Sequence, residues 1–393
     1  MTARPPARLW SPFPNESQLA LLRLVLSPRL EAGALVAWSG KVELQRLDEG
    51  SVRLLPALYL RLTAAEIQHP WLPMLRAHYL RMRQRNRLLL HRGLALARTL
   101  ADHGIPCLLL KGAALGAGYY GDPGERPMGD FDILLPERAA SATVQAIATA
   151  EQGLRLRDRA LHAHTYLDHN GFEYDLHWHL LPELAYEGSA RALWARAATV
   201  THGQEEWPTL CAEDHAYHLL AHGLRVSEVP PLRWIVDMAM VLRKTPAFDW
   251  DRLVAQARAT ETAVPIARGL AFLTREGFVG GAAAEALQRL EALPRRPFER
   301  YIFAGQMQRP SLGYSVLRPL LLYARLRRLA GGRFAPGALG FMAALWDVES
   351  PRRIPAAFLA RLAGKLRAAR RPPAAPLKSR ADRQTGEDGR RPV

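Results

Sequence analysis

Apolar residues, mostly leucines, recur at three- and four-residue spacing over residues 17–104, and this spacing predicts a series of amphipathic helices that ends at Gly104. The pattern then changes to two short apolar runs within residues 105–135, separated by a stretch rich in Gly and Pro. That order predicts a strand, a turn with a short helix, a loop and a second strand. Apolar and polar positions alternate in segments of residues 153–180, which is typical of partly buried strands. Helical spacing returns over residues 188–368.

These changes of pattern predict an α+β fold, in which a small core with a mixed sheet is embedded between N-terminal and C-terminal helical regions. The predicted parts are an N-terminal helical region (1–84), the core (85–187), a C-terminal helical region (188–368) and a basic tail (369–393). The tail combines Pro with charge and lacks apolar periodicity, so we expect it to be disordered. A chain of 393 residues is long enough to bury a sizeable core.

The sequence also favours a cytoplasmic location. No apolar stretch reaches the roughly 18 to 20 residues that cross a bilayer, so we expect no membrane span. The first fourteen residues are rich in Pro and lack the apolar segment of a secretion signal. The two cysteines, Cys107 and Cys211, show no CxxC spacing, which argues against a disulfide framework and against a cysteine-based zinc site.

The chain is strongly basic, with 53 Lys and Arg against 37 Asp and Glu and a net charge of +16. Such an excess suits an anionic partner, for example a nucleotide, a nucleic acid or a lipid surface. However, five of the 53 cations are lysines and the rest are arginines. An arginine-rich composition without functional meaning therefore explains the charge equally well. Part of the charge is local, because residues 365–393 hold nine Lys and Arg against three Asp and Glu.

Two acidic residues, Asp130 and Asp132, occupy alternate positions at the start of the second apolar run. Residues i and i+2 of a strand point to the same face, so the two carboxylates are expected side by side, with Phe131 and Ile133 in the core. Two ionised carboxylates repel each other unless a cation lies between them, and Mg²⁺ prefers oxygen ligands. Asp175 lies in another apolar run and completes the cluster if the two strands are neighbours. We therefore expect these three aspartates to form a Mg²⁺ site.

Three carboxylates around one or two Mg²⁺ ions suit nucleotidyl transfer, in which the triphosphate must be oriented and the attacking hydroxyl activated. The turn at Lys111 and Gly112, ahead of a predicted short helix, would present backbone N–H groups to phosphate, and glycine would allow close approach. Lys111 would add a positive charge there, although a surface lysine explains its presence almost as well.

Two further residues near the cluster have alternative interpretations. Arg126 contacts phosphate through its planar guanidinium or fixes the loop in a salt bridge, for which Asp175 is a candidate partner. His177 shares the predicted face of Asp175, so it is either an accessory ligand, a residue that orients substrate, or a structural hydrogen-bonding residue. The aspartates themselves have alternatives as well, because an Asp-x-Asp pair also occurs at solvated strand edges.

The segments LLLKGAAL, RPMGDFDILLP and EYDLHWHL occur in this order, and together they resemble the uncharacterised nucleotidyltransferase family of the polymerase-β-like superfamily. The resemblance covers roughly residues 35–300. It implies a small mixed-sheet nucleotidyltransferase core flanked by helices, dependence on Mg²⁺ and an NTP donor. By this resemblance the metal-binding and catalytic carboxylates are Asp130, Asp132 and Asp175. The expected nucleotide-binding residues are Lys111, Gly112, Arg126 and Gly129.

The sequence thus predicts a Mg²⁺-dependent nucleotidyltransferase that moves an NMP unit from an NTP to a hydroxyl-type acceptor and releases pyrophosphate. The acceptor class stays open among small molecules, peptides, proteins and RNA. A catalytically silent binding or regulatory module of the same fold is the main alternative. His215, His218 and His222 share one helical face and suggest a zinc hydrolase, although the chain has no HExxH motif. The arginine-rich C-terminal helices suggest a binder of anionic surfaces, although no RNA- or DNA-binding motif stands out.

Overall fold

The computed structural model describes residues 11–226, 230–309, 311–332, 334, 337–348, 350–360 and 363, so the predicted disordered tail lies outside the described residues. Helices come first, as the apolar spacing predicts: α1 (Glu16–Leu26), α2 (Ala32–Ser39), α3 (Glu49–Val52), α4 (Leu55–Ala64) and α5 (Leu72–Asp102). The predicted stop after α5 is confirmed. Gly104 adopts a φ of +73°, which few other residues tolerate, and its N–H donates to the carbonyl of Ala101.

A seven-stranded mixed sheet follows in the middle of the chain. Its strands are β1 (Leu108–Leu109), β2 (Asp130–Leu134), β3 (Arg155–Arg159), β4 (Ala163–Leu167), β5 (Glu173–His177), β6 (Ala198–His202) and β7 (Glu205–Thr209). The spatial order is β3-β4-β5-β2-β1-β7-β6. β2 runs parallel to β5 and β1 runs parallel to β7, whereas the other neighbours are antiparallel. The predicted α+β fold with a mixed sheet between helical regions is therefore confirmed.

The hairpin of β6 and β7 is not predicted by the sequence pattern, which indicates helix from residue 188 onward. Each strand of the hairpin buries one large apolar side chain, Val200 or Trp207, so its alternation is too weak to stand out from helical spacing. Because β7 pairs with β1, the sheet extends past residue 187, where the sequence places the end of the core.

Further helices within or after the sheet are α6 (Lys111–Gly118), α7 (Ser141–Ala150), α8 (Arg191–Ala195), α9 (Ala212–Gly223), α10 (Arg233–Lys244), α11 (Trp250–Ala259), α12 (Ala263–Arg275), α13 (Ala282–Ala292), α14 (Pro297–Gln306), α15 (Leu312–Leu329) and α16 (Ala338–Leu345). One apolar core joins the N-terminal helices to α9–α14, and a second lies between the sheet, α5 and α7. Across the part of the chain that the structure describes, no helix combines the length and the apolar character that crossing a membrane requires.

Helix α5 packs directly against strand β2 at Gly93. A Cβ atom at Gly93 would lie 2.2 Å from Cδ2 of Phe131, far inside van der Waals contact. The Phe131 ring is fully buried, and its residue lies between Asp130 and Asp132 in β2. The absence of a side chain at Gly93 therefore allows the strand that carries these two aspartates to approach the helix.

We expect Gly93→Ala to lower the free energy of unfolding by at least about 1–3 kcal/mol, because the buried Phe131 ring must move or the helix must shift. Urea unfolding of the full chain measures the change. Gly116→Ala in α6 is the matched control, since a Cβ there meets open space, and it should leave the stability unchanged or raise it by up to about 1 kcal/mol. Equal effects of the two substitutions would contradict the close packing of α5 on β2.

Candidate active site

The parallel pairing of β2 with β5 brings two of the predicted carboxylates together. Asp132 lies directly opposite Asp175 in the register, and Asp130 lies opposite Glu173. Ligand atoms of Asp132, Asp175 and His177 lie within 4.8 Å of one another. The expectation that the strands of Asp132 and Asp175 are neighbours is thus confirmed, and His177 joins the same group.

Asp132 is the most enclosed member of this group, with no exposed surface. Its Oδ1 accepts a hydrogen bond from Nζ of Lys111 at 2.5 Å, and Nε2 of His177 lies 3.0 Å from the same oxygen. Burial alone would raise the pKa of Asp132, but the Lys111 ammonium and the His177 contact outweigh it and hold that pKa well below its usual range. Burial disfavours the charge of Lys111 too, yet the charges of Asp132 and Asp130 raise its pKa. The two side chains therefore keep each other ionised.

Asp175 and Asp130 are both half-buried and differ in their contacts. Oδ1 of Asp175 accepts a hydrogen bond from the hydroxyl of Thr165 at 2.6 Å. Asp130 lies outside the group of three ligand atoms, but it is close enough for the charge of Asp132 and burial to raise its pKa, against the opposing effect of Lys111 and Arg233. Both carboxylates are therefore more accessible than the enclosed Asp132.

The residues present fit a divalent metal ion. Among the described residues, Oδ2 of Asp132 and Nδ1 of His177 are buried and have no hydrogen-bond partner. Leaving an ionised oxygen buried without a partner is costly, and coordination of a cation removes that cost. Asp132 and Asp175 supply the oxygen ligands that Mg²⁺ prefers, and the His177 imidazole also suits transition metals.

The predicted phosphate turn begins helix α6 beside this group. Gly112 is buried, and a Cβ there would lie 2.9 Å from Cγ and Sδ of Met128 and 3.0 Å from Nη1 of Arg126. Glycine is thus required for the loop before β2 to approach the start of the helix. The backbone of Lys111 adopts a φ of +41°, which is unusual for a residue other than glycine. Gly129 is exposed, and its carbonyl accepts a hydrogen bond from Nη2 of Arg85 at 3.2 Å.

Arg126 forms a salt bridge, but with a different partner from the one that the sequence suggests. Its Nε and Nη2 donate to the two carboxylate oxygens of Asp237 in α10 at 2.7 and 2.8 Å. The hydroxyl of Tyr120 donates to the same carboxylate at 2.6 Å. Burial disfavours the guanidinium charge, yet Asp237 outweighs it and raises the pKa of Arg126. The partner of Arg126 is therefore Asp237, and not Asp175 as the sequence suggested.

The loop before β2 is also anchored by a residue that the sequence analysis missed. Asn86 of α5 is buried, and its Nδ2 donates to the carbonyls of Pro123 and Arg126 at 2.5 and 2.8 Å. Its Oδ1 accepts from the backbone N–H of Met128 at 3.0 Å. The signal in the sequence is a polar amide three residues before Leu89, on the apolar face of the helix. Asn86 thus positions the backbone that leads into Asp130.

The three histidines of α9 do not form a zinc site with one another in the described structure. None of them belongs to the group of potential metal ligands around Asp132. His215 is buried, its Nε2 lies 3.2 Å from the hydroxyl of Thr209, and its ring packs edge-on against Tyr119. His218 is buried, whereas His222 is exposed. The contacts of His215 are those of a structural residue.

The buried His215 should make the stability pH-dependent. Burial lowers its pKa from 6.5 to about 3. Between these values the unfolded chain binds a proton that the folded chain does not, so the free energy of unfolding falls as the pH falls below 6.5, by up to about 1.4 kcal/mol per pH unit. Urea unfolding between pH 7 and 5 measures this slope. His215→Gln should make the slope shallower, and an unchanged slope would contradict a neutral imidazole in the folded protein.

Comparison with known protein families identifies the region that contains this site. Residues 51–275 match the family model described as uncharacterised nucleotidyltransferase. The match runs from α3 to the end of α12, covers more than half of the chain and includes Lys111, Asp132 and Asp175. A comparison with curated proteins gives no match. The chain belongs to the uncharacterised nucleotidyltransferase family, as the order of its three motifs predicts.

Proposed function

We propose that this protein is a Mg²⁺-dependent nucleotidyltransferase that moves an NMP unit from an NTP to a hydroxyl-type acceptor. The observation that carries the proposal is the group formed by Asp132, Asp175 and His177 in neighbouring parallel strands, with the buried Oδ2 of Asp132 left without a partner. Membership of the nucleotidyltransferase family supports the reaction class. The metal, the donor and the acceptor chemistry are parts of the proposal.

In the proposed reaction, the acceptor oxygen forms a bond to the α-phosphorus of the NTP. The bond between that phosphorus and the oxygen bridging to the β-phosphate breaks, and pyrophosphate leaves with the electron pair. Mg²⁺, when bound, neutralises phosphate charge and lowers the pKa of the hydroxyl. We assign Asp175 as the group that accepts the hydroxyl proton, because Asp175 is half-buried and can be reached, whereas Asp132 is fully buried and already paired with Lys111.

The remaining residues hold this arrangement in place. Lys111 and His177 fix the Oδ1 atom of Asp132, and the Lys111 ammonium compensates its charge. Asn86 and Gly112 set the path of the loop that leads into β2, so that Asp130 enters the strand beside the other carboxylates. Preorganised charge of this kind supplies most of the rate enhancement in phosphoryl transfer, because the protein itself contributes little covalent chemistry.

An activity assay with the full chain tests the proposal. The protein is mixed with Mg²⁺ and an NTP that is labelled at the α-phosphate, and hydroxyl compounds, peptides and RNA are offered as acceptors. We expect pyrophosphate release and transfer of the label to one acceptor class, both abolished by a chelator. Each NTP is assayed separately. Binding of Mg²⁺ and NTP without turnover in any acceptor fraction would contradict the proposed reaction and favour the silent binding module.

A further inference from the structure

A small cavity lies next to the group formed by Asp132, Asp175 and His177, and Lys111 borders both. It has a volume of about 110 Å³ and lies between α6, α9, α10 and the loop before β2. The residues that line it include Arg53, Lys111, Arg126, His218, Arg233 and Trp234. We call this cavity the arginine pocket. Lys111 connects it to the site, because the same ammonium group contacts Asp132.

The arginine pocket carries an excess of positive charge. Arg233 donates to the carbonyl of Pro127 at 2.7 Å, and it forms no ion pair with a carboxylate in the described part of the chain. Partial burial and the nearby charges of Arg126 and Arg53 lower the pKa of Arg233 to about 10. Asp237 also borders the pocket, but both its oxygens are engaged by Arg126. Asp237 and Asp130 offset part of the charge of Arg233, but no carboxylate among the described residues pairs with it directly.

Two residues that line the pocket also have buried polar atoms that lack partners. Nε2 of His218 and Nε1 of Trp234 have no hydrogen-bond partner within the described residues. The exposed fractions of these residues are 4% and 3%, so water does not compensate from the outer surface. The indole Nε1 of Trp234 is a hydrogen-bond donor only, so it requires an acceptor atom. An anionic oxygen that reaches both groups would satisfy the indole and pair with Arg233.

We propose that the arginine pocket binds a phosphate group carried by the acceptor, an inference that rests on the proposed nucleotidyl transfer. The planar guanidinium of Arg233 suits the paired oxygens of phosphate. A volume of about 110 Å³ holds several water molecules, and so one phosphate group but not a whole triphosphate. The donor phosphates belong with the group of Asp132, Asp175 and His177, whose side chains are not among those that line the pocket. The acceptor is thus a phosphorylated molecule that also presents a hydroxyl.

Inorganic phosphate is the probe for this proposal, titrated calorimetrically into the full chain. Arg233→Gln should weaken phosphate binding at least tenfold, and Trp234→Phe should weaken it while keeping an aromatic ring in place. Arg289→Gln is the matched control, because it removes the same charge from an exposed arginine of α13 and should leave binding unchanged. Thermal unfolding without phosphate shows that each variant is folded.

A second titration distinguishes the acceptor from the donor as the source of the phosphate. It is carried out with saturating Mg²⁺ and an NTP analogue that cannot be cleaved between the α- and β-phosphates. If phosphate still binds when the analogue is bound, the pocket holds a phosphate of the acceptor. If phosphate and the analogue exclude each other, the pocket instead holds the terminal phosphate of the donor, and the proposal is overturned. Equal phosphate binding by the wild type and the folded Arg233→Gln variant overturns the proposal that the arginine pocket binds phosphate. Failure of the analogue to bind, with the Arg233 effect intact, instead overturns the proposed nucleotidyl transfer.

Discussion

Asp132→Asn is expected to lower the rate of nucleotidyl transfer about 10³-fold, the largest expected effect of a single substitution on activity. The change removes the buried charge that Lys111 and His177 hold in place, and with it an oxygen ligand for the proposed metal ion. A loss of roughly 4 kcal/mol in transition-state stabilisation corresponds to this factor, at about 1.4 kcal/mol for each tenfold change. Steady-state release of pyrophosphate at saturating Mg²⁺ and NTP measures the rate.

Glu173→Gln is the control for this prediction, because it makes the same acid-to-amide change on the same pair of strands. Glu173 lies opposite Asp130 in the register, but its carboxylate pairs with Arg157 at the surface. The rate of nucleotidyl transfer by the Glu173→Gln variant should stay within about threefold of the wild-type rate, since exposed ion pairs contribute little. A folded Asp132→Asn variant that retains the wild-type rate would rule out Asp132 as a metal-binding carboxylate.

Asp237→Ala is expected to lower the free energy of unfolding by about 3–5 kcal/mol, the largest expected effect on stability. Asp237 is 1% exposed and accepts two hydrogen bonds from Arg126 and one from Tyr120. Removing it leaves the Arg126 guanidinium buried without a counter-charge, which costs more than the ion pair itself contributes. Urea unfolding of the full chain measures the loss.

The matched control for Asp237 is Asp251, which pairs with Arg289 at the surface of the C-terminal helices. The Asp251 side chain is 79% exposed, so Asp251→Ala should change the free energy of unfolding by less than about 1 kcal/mol. A similar loss in both variants would show that the burial of the Arg126 pair has no special cost. Joint replacement of Arg126 and Asp237 by apolar residues should recover part of the stability, because no unpaired charge remains.

The sequence predicts β2 and β5 correctly, because both are short apolar runs with period-two alternation between loop segments. It also predicts that Asp132 and Asp175 meet if the strands are neighbours, and the observed register confirms the condition. The hairpin of β6 and β7 is missed, because one large buried apolar residue per strand is too weak a signal.

Contacts between distant segments are the part of the site that spacing does not reveal. Arg126 and Asp237 are 111 positions apart, and neither apolar periodicity nor a motif connects them. The same applies to Arg233, whose position beside Arg126 depends on how α10 packs after the sheet. His177 is an intermediate case: its face in β5 follows from alternation, but its contact with Asp132 depends on the pairing of β5 with β2.

The loop before Asp130 is tied to Asn86 on one side and to Asp237 on the other, which lie in the helical regions before and after the sheet. The geometry of the candidate site therefore depends on segments before and after the sheet. An excised sheet fragment would keep all three aspartates in its sequence and lose both residues that anchor the loop before Asp130. Engineering that shortens this protein, or grafts its sheet onto another scaffold, has to carry α5 and α10 along.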